Sequence, residues 1–274
     1  MATYWREASD EFRMAVIGDP IAQSLSPHMH NQWLQSQGLP GMYTALQVPE
    51  LETFAALNHL TEMGYLAVNV TTPCKELAFQ WCEAISPEAI CSLAVNTISL
   101  QDRCGTQTDG EALAQMILES APAQGNVLLL GAGATGRSIL CAIKSLYDVS
   151  LWNRSKSRQI PPEVAASTKW LESPAPAFDC IINATSAPLD SAELDWALDL
   201  AKPSTLVIDV RYSPAGLPKW VETARSMGLR AEDGKQLLAR QATLSWEFWL
   251  TKSVELPNIV SSPPTTANLL RTLT

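Results

Sequence analysis

Apolar runs of strand length alternate with helix-period segments along almost the whole chain. In the first half the pattern predicts strands over 14–18, 42–48 and 66–70. Helical patterns follow them over 27–37, 50–63 and 75–85. An extended run over 94–100 then leads into a turn over 102–105. In the second half strands are predicted over 126–130, 149–152, 180–183 and 205–210, with helices over 135–146 and 214–227. Strand-then-helix alternation of this kind predicts parallel sheets covered by helices. The stretch over 159–177 breaks the rhythm with Pro161, Pro162, Pro174 and Pro176, so a short helix between surface loops is expected there.

The clearest seam lies at Asp109–Glu111, where strands of one sheet give way to a linking helix over 111–118. The expected organisation is α/β with two domains. Residues 1–109 form an N-terminal, mainly parallel α/β domain and 110–239 a second, Rossmann-type α/β domain. Residues 240–274 add C-terminal helices. The helical segment over 235–253 carries Trp246, Phe248, Trp249 and Leu250, and the hypothesis is that it crosses back onto the first domain.

Composition narrows the functional classes. The 274 residues are 46% hydrophobic and 17% charged, which permits packed cores and argues against global disorder. A net charge of −9 argues against nucleic acid and anionic membranes as partners. The first 12 residues lack the apolar core of an export signal, and apolar runs stay far short of the roughly 20 residues a spanning helix needs. A soluble, cytoplasmic protein is expected. The six cysteines form no C-x-x-C pair and are read as reduced, packed thiols. His28, His30 and His59 stand apart from any metal-ligand spacing, so no metal is expected.

Candidate chemistry begins in the second half. The strand over 126–130 runs into Gly131-Ala132-Gly133-Ala134-Thr135-Gly136, and Arg137 continues into a helix. Dinucleotide binding needs this order. The first glycine makes the tight turn, the second admits a pyrophosphate, the third lets helix pack on strand, and the helix N-terminus faces the phosphates. The next strand ends in Asn153-Arg154-Ser155-Lys156-Ser157-Arg158, with no Asp or Glu where an NAD site places one. Arg154 and Arg158, with Ser155, offer charge-assisted donors to a 2′-phosphate, so NADP is the expected cofactor.

The first half holds polar motifs at strand ends. Ser24-Leu25-Ser26-Pro27 precedes the first helix, where Ser26 is suited to the N-cap and Pro27 to the first helical position. Asn69-Val70-Thr71-Thr72-Pro73-Cys74-Lys75 closes the third strand and puts a lysine in the first turn of a helix, an unfavourable place for a cation. Asn96-Thr97 and Thr108-Asp109-Gly110 lie near later strand ends, where α/β folds bind ligands.

Taken together these motifs resemble the shikimate dehydrogenase family. The resemblance runs from about Met14 to Gln241. It includes Gly18-Asp-Pro-Ile21, the Ser24–Asn31 stretch, Asn183-Ala-Thr185-Ser, Asp209-Val-Arg-Tyr212-Ser-Pro, and Gly234-Lys-Gln-Leu-Leu-Ala-Arg-Gln241. It implies that Lys75 and Asp109 form the catalytic pair. It implies that Ser24, Ser26, Thr71, Lys75, Asn96, Asp109, Tyr212 and Gln241 hold the carboxylate and hydroxyls of shikimate. Thr185 and Gly234 would join the cofactor site, which sits across a cleft between domains. The implied reaction is NADP-dependent interconversion of shikimate and 3-dehydroshikimate in aromatic amino-acid (chorismate) biosynthesis, by a monomer or homodimer.

The chain departs from the family pattern at Gln107, Leu93, Ala134-Thr135, Ala187-Pro188-Leu189 and Ala215–Trp220. Two other readings stay open. One is the same chemistry on quinate; Ser24 and Ser26 favour shikimate. The other is a ligand-binding regulator that has lost turnover, against which the joint presence of Lys75 and Asp109 argues.

Overall fold

The computed structural model describes residues 12–120, 124–155, 160, 162–165, 168–171, 177–252 and 259–273. Residues 1–11, Arg158 and parts of the proline-rich stretch over 159–177, including Pro161, Pro174 and Pro176, lie outside the described residues. The first half runs β1 (Phe12–Gly18), α1 (Ser26–Ser36), β2 (Gly41–Gln47), α2 (Thr53–Glu62), β3 (Tyr65–Val70) and α3 (Lys75–Trp81). It continues with β4 (Ala84–Ile85), α4 (Pro87–Ser92), β5 (Thr97–Ser99) and β6 (Cys104–Thr106). The second half runs α5 (Asp109–Leu118), β7 (Asn126–Leu130), α6 (Ala134–Ile143), β8 (Asp148–Trp152), α7 (Pro162–Ala165), β9 (Lys169–Trp170) and β10 (Phe178–Asn183). After these come β11 (Ala201–Asp209), α8 (Lys219–Ser226), β12 (Arg230–Glu232), α9 (Lys235–Lys252) and α10 (Thr266–Leu270).

The strands form two six-stranded sheets, ordered β2-β1-β3-β5-β6-β4 and β12-β11-β10-β7-β8-β9. The second sheet is parallel throughout. Its order reverses between β7 and β10, the crevice where doubly wound sheets bind ligands. The first sheet is mixed, because β5 runs antiparallel to both β3 and β6. A tight turn at Asp102–Arg103, with Arg103 at φ 46°, makes a hairpin of this stretch. The predicted 75–85 helix also ends early, at Trp81, and gives way to β4. The predicted 214–227 helix starts only at Lys219, after Pro218, since the residue before a proline disfavours helical backbone.

Period-two burial sets the layers. In β1, Met14 and Val16 point to one cluster, with Trp33, Leu34, Trp246, Trp249 and Leu269. Ala15 and Ile17 point to the other, with Leu57, Val68, Ala78 and Trp81. In β7, Val127 and Leu129 pack on α5 and α6, while Leu128 and Leu130 face Trp220 and Val221 of α8. Helix α9 lays Trp246 and Trp249, both fully buried, on the first sheet. The Trp249 indole N–H donates to the Ile98 carbonyl at 3.0 Å, and that of Trp246 to His30 Nδ1 at 3.0 Å.

The halves meet along α4, α5 and α6. Within the second half the Gly110 N–H donates to Ser138 Oγ at 2.9 Å and holds the start of α5 on α6. The buried Arg137 donates to the Ser92 carbonyl at 2.7 Å and to Glu76 Oε1 at 2.9 Å. Here the expectation of six reduced thiols is corrected: Cys91 of α4 and Cys141 of α6 form a disulfide, their Cα atoms 6.1 Å apart. Fifty residues separate them in sequence, and only the packing of one helix on the other brings them together. Cys74, Cys82, Cys104 and Cys180 are free and buried, and burial pushes the Cys82 thiol up to about 12.

Candidate active site

The site is built where β3 and β6 end, the antiparallel β5 starts and the glycine loop after β7 begins. Lys75 is the first residue of α3 and Asp109 the first residue of α5. Their positions are electrostatically unequal. A carboxylate gains from the positive end of a helix and an ammonium loses there. Lys75 offsets that cost by pairing with Asp109: Nζ lies 2.6 Å from Oδ2, and the two side chains are only 8% and 11% exposed. At that burial each charge depends on the other, because an unpaired buried charge costs several kcal/mol.

Hydrogen bonds hold Asp109 from several sides. Asn96 Nδ2 donates to Oδ1 at 2.8 Å and also to Thr108 Oγ1 at 3.0 Å. Asn96 Oδ1 accepts the Thr108 N–H at 3.0 Å, and Gln107 Oε1 accepts the Asp109 N–H at 3.1 Å. Gln107 Nε2 is buried without a partner among the described residues. Behind Asn96, the Asn69 amide donates to the Asn96 carbonyl, Thr97 Oγ1 and Ser245 Oγ, each at 3.1 Å, and the Tyr43 hydroxyl donates to Asn69 Oδ1 at 2.7 Å. A buried polar network satisfied in this way rigidifies its members. It ties α9 to the site through Ser245.

The other expected substrate residues are placed as follows. Tyr212, from the second half, accepts the Leu25 N–H at 3.2 Å and meets the Ser24 side chain. Burial pushes its phenol pKa up. Ser24 Oγ accepts the Ser26 N–H at 3.3 Å. Ser26 is not the N-cap: Leu25 holds that position, in helical backbone and without a side-chain cap bond, and Ser26 is already helical and buried. Thr71 lies at the end of β3, its N–H bonded to the Ile17 carbonyl at 2.9 Å. The Gln241 amide turns back onto its own helix, donating to the Leu238 carbonyl at 3.0 Å.

On the second sheet Gly131 adopts φ 107°, a left-handed conformation suited to glycine. A Cβ on Gly136 would collide with the Gly131 carbonyl, whereas one on Gly133 would meet nothing within 4 Å. The open space at Gly133, which caps the N-terminus of α6, fits a phosphate approaching backbone N–H groups. The first turn of that helix carries Ala134, Thr135 and Gly136. Asn153 Oδ1 accepts the Ala132 N–H at 3.1 Å and its amide donates to the Ser155 carbonyl. Arg154 has an 81% exposed side chain, 3.6 Å from Glu193. Thr185, just past β10, donates through both N–H and hydroxyl to Asn183 Oδ1. Gly234 sits against the Val210 carbonyl, where a side chain would not fit.

Residues 16–98 match the family model described as the shikimate dehydrogenase substrate binding domain. The shikimate dehydrogenase (NADP(+)) of Exiguobacterium sp. is 33% identical over 241 residues, covering 86% of this chain and 92% of that one. The chain belongs to the shikimate dehydrogenase family. Its relative from Desulfitobacterium hafniense, again a shikimate dehydrogenase (NADP(+)), is 31% identical over 86% of this chain and 91% of its own. Among solved structures, the shikimate 5-dehydrogenase of Thermus thermophilus in complex with shikimate superposes with a TM-score of 0.80. It is 28% identical, covering 96% of this chain and 97% of that one.

Two participants escaped the reading of motifs. Arg137 could have been noticed as a charged residue opening a helix whose next positions are apolar. Thr135, expected at the phosphates, donates to Asp109 Oδ2 at 3.2 Å and accepts from Lys75 Nζ at 3.0 Å; no local signal announces that contact. Among the described residues no cluster of His, Cys, Asp and Glu suits a metal, and no helix is long and apolar enough to cross a membrane.

Proposed function

We propose that this protein catalyses the reversible, NADP-dependent oxidation of shikimate to 3-dehydroshikimate, serving aromatic biosynthesis. One observation carries the reading: a buried Lys75–Asp109 pair, 2.6 Å apart, sits in direct contact with the first turn of the glycine-loop helix. A hydroxyl acid bound there has its reacting oxygen beside an ammonium and a carboxylate, facing the nucleotide half.

Bound NADP supplies the hydride acceptor in one direction and the donor in the other. The protein supplies position and charge. Asp109 accepts a hydrogen bond from the substrate hydroxyl and orients Lys75. In the reductive direction the Lys75 ammonium stabilises the negative charge that develops on that oxygen and delivers the proton; in the oxidative direction the hydroxyl proton passes back to the Lys75–Asp109 pair as hydride leaves the carbon. Ser24, Ser26, Thr71, Asn96, Tyr212 and Gln241 hold the carboxylate and ring hydroxyls. Gly131 to Gly136 cradle the pyrophosphate, with Asn153, Thr185 and Gly234 shaping the surrounding loops, and Arg154 with Ser155 and Arg158 meets the 2′-phosphate. The first sheet, residues 1–109, acts as the substrate domain, residues 110–239 as the cofactor domain, and residues 240–274 brace the former. We place the protein in the cytoplasm, as a monomer or homodimer without nucleic-acid partners.

Purified protein mixed with shikimate and NADP+ should produce the NADPH absorbance band. Binding of both without any absorbance growth would overturn the reading.

A further inference from the structure

We infer that Thr135 is a positioning residue for the Lys75–Asp109 pair, a hydroxyl supplied by the nucleotide half that closes a hydrogen-bonded ring across the cleft. This inference rests on the reading of that pair as the reacting centre. The Thr135 hydroxyl has one hydrogen to give and lone pairs to receive, and it uses both. It accepts from Lys75 Nζ at 3.0 Å and donates to Asp109 Oδ2 at 3.2 Å, the oxygen that Lys75 itself contacts at 2.6 Å.

The ring constrains the ammonium. Of its three N–H donors, one goes to Asp109 and one to Thr135, leaving the third for a substrate oxygen. With the hydroxyl removed, Nζ pivots about Asp109 alone and its free donor loses its aim. Asp109 keeps Asn96 on its other oxygen, so the carboxylate stays in place while the ammonium does not.

The turn that carries Thr135 is itself held. Two residues on, Arg137 is only 3% exposed and reaches across the seam to the Ser92 carbonyl and Glu76. Ser138 accepts the Gly110 N–H at 2.9 Å. The hydroxyl is therefore presented from a fixed helix start, two residues from the open cradle at Gly133. The same helix start thus serves the phosphates through its backbone and the reacting pair through a side chain. Alignment of the ammonium then depends on the two halves keeping their approach.

The test compares wild type with Thr135→Ala, Thr135→Val and Thr135→Ser, measuring kcat and both KM values with shikimate and NADP+. Loss of a hydrogen bond to a charged group should lower kcat about tenfold in the alanine and valine variants. Both KM values should stay within about threefold, and serine should restore kcat to within about twofold of wild type. Unchanged kcat in Thr135→Val, a loss confined to the KM for NADP+, or failure of serine to restore turnover would each overturn the inference while leaving the proposed reaction standing. An inactive wild type would instead sink that reaction and the inference together. Should the alanine and valine variants not fold, a crystal structure of the wild type with NADP+ and shikimate decides the geometry. A Thr135 Oγ1 within about 3.5 Å of Lys75 Nζ supports the ring, and one turned away overturns it.

Discussion

The two halves hold their chemistry in opposite ways. On the first sheet the working side chains are buried and bonded to one another. Lys75, Asn96 and Asp109 are 6%, 3% and 7% exposed, and each touches at least one of the others. On the second sheet the candidate groups are backbone N–H groups at a helix start and side chains at the rim, with the Arg154 side chain 81% exposed and 3.6 Å from Glu193. On the proposed function, the difference follows from what each half would have to do. Stabilising charge on one oxygen needs a fixed, water-poor site, where electrostatic interactions are strong. Selecting a 2′-phosphate needs only a cation within reach of a ligand that is itself highly charged.

That contrast can be broken most directly at Lys75. Lys75→Ala should lower kcat by about 10²-fold or more, with the KM for shikimate changing much less. Because Asp109 is left charged and buried, the variant should also lose about 3 kcal/mol of stability in denaturant unfolding. Adding Asp109→Asn should recover part of that stability and no activity. If the double variant were as much slower than either single variant as two independent losses require, the two residues would not act as a unit.

Asp109→Asn alone comes next. It keeps shape and removes the charge that orients Lys75, so kcat should fall by about tenfold to a hundredfold. A variant with near-normal turnover would show that the carboxylate is a helix-start ornament of the fold.

The rim should respond differently. Arg154→Ala should raise the KM for NADP+ by about tenfold, leave the KM for NAD+ nearly constant, and barely move kcat or the melting temperature. Equal effects on both cofactors would mean that the exposed arginine does not read the 2′-phosphate.

The smallest effect concerns the buried network behind the first site. His30 is fully buried, stacked on Tyr43 with ring centres 4.2 Å apart, and accepts the Trp246 N–H. Burial lowers its pKa from 6.5 to about 3. The unfolded chain therefore binds a proton between those values while the folded protein does not. Stability is fully present above about pH 6.5 and falls as pH drops towards 3, with a limiting slope of about 1.4 kcal/mol per pH unit. Between pH 6.5 and 5, where few carboxylates titrate, His30→Phe should flatten the pH dependence of the unfolding free energy. An unaltered slope would place the proton uptake elsewhere.

How much of this was legible in advance differs between the halves for a related reason. The glycine loop, its strand and its helix are one continuous stretch, so local pattern suffices for them, whereas the short β9 and β12 and the order of the second sheet came only with the structure. The first half is less local. The antiparallel β5 and β6, the shortened α3 and the short β4 all come from a hairpin whose turn bears no glycine at Arg103, and parallel alternation misdescribes it. Ser26 looked like a cap because Ser-Pro is a common helix start, yet Leu25 takes the cap position and Ser26 goes into the interior.

What the sequence by itself determined are the apolar periods, the glycine loop with no acidic residue at the following strand end, and the polar motifs at strand ends. These are read within a few residues of one another, and backbone sterics and burial dictate their local form. Only the tertiary structure decided which of those motifs touch. It brought Lys75 to Asp109 across 34 residues and Ser245 of the last long helix to Asn69. It joined Cys91 to Cys141, and it turned Thr135 of the glycine loop onto the Lys75–Asp109 pair. Such contacts depend on how two sheets dock through α4, α5 and α6. That docking is settled by the summed packing of many side chains, none of which names its partner in the chain.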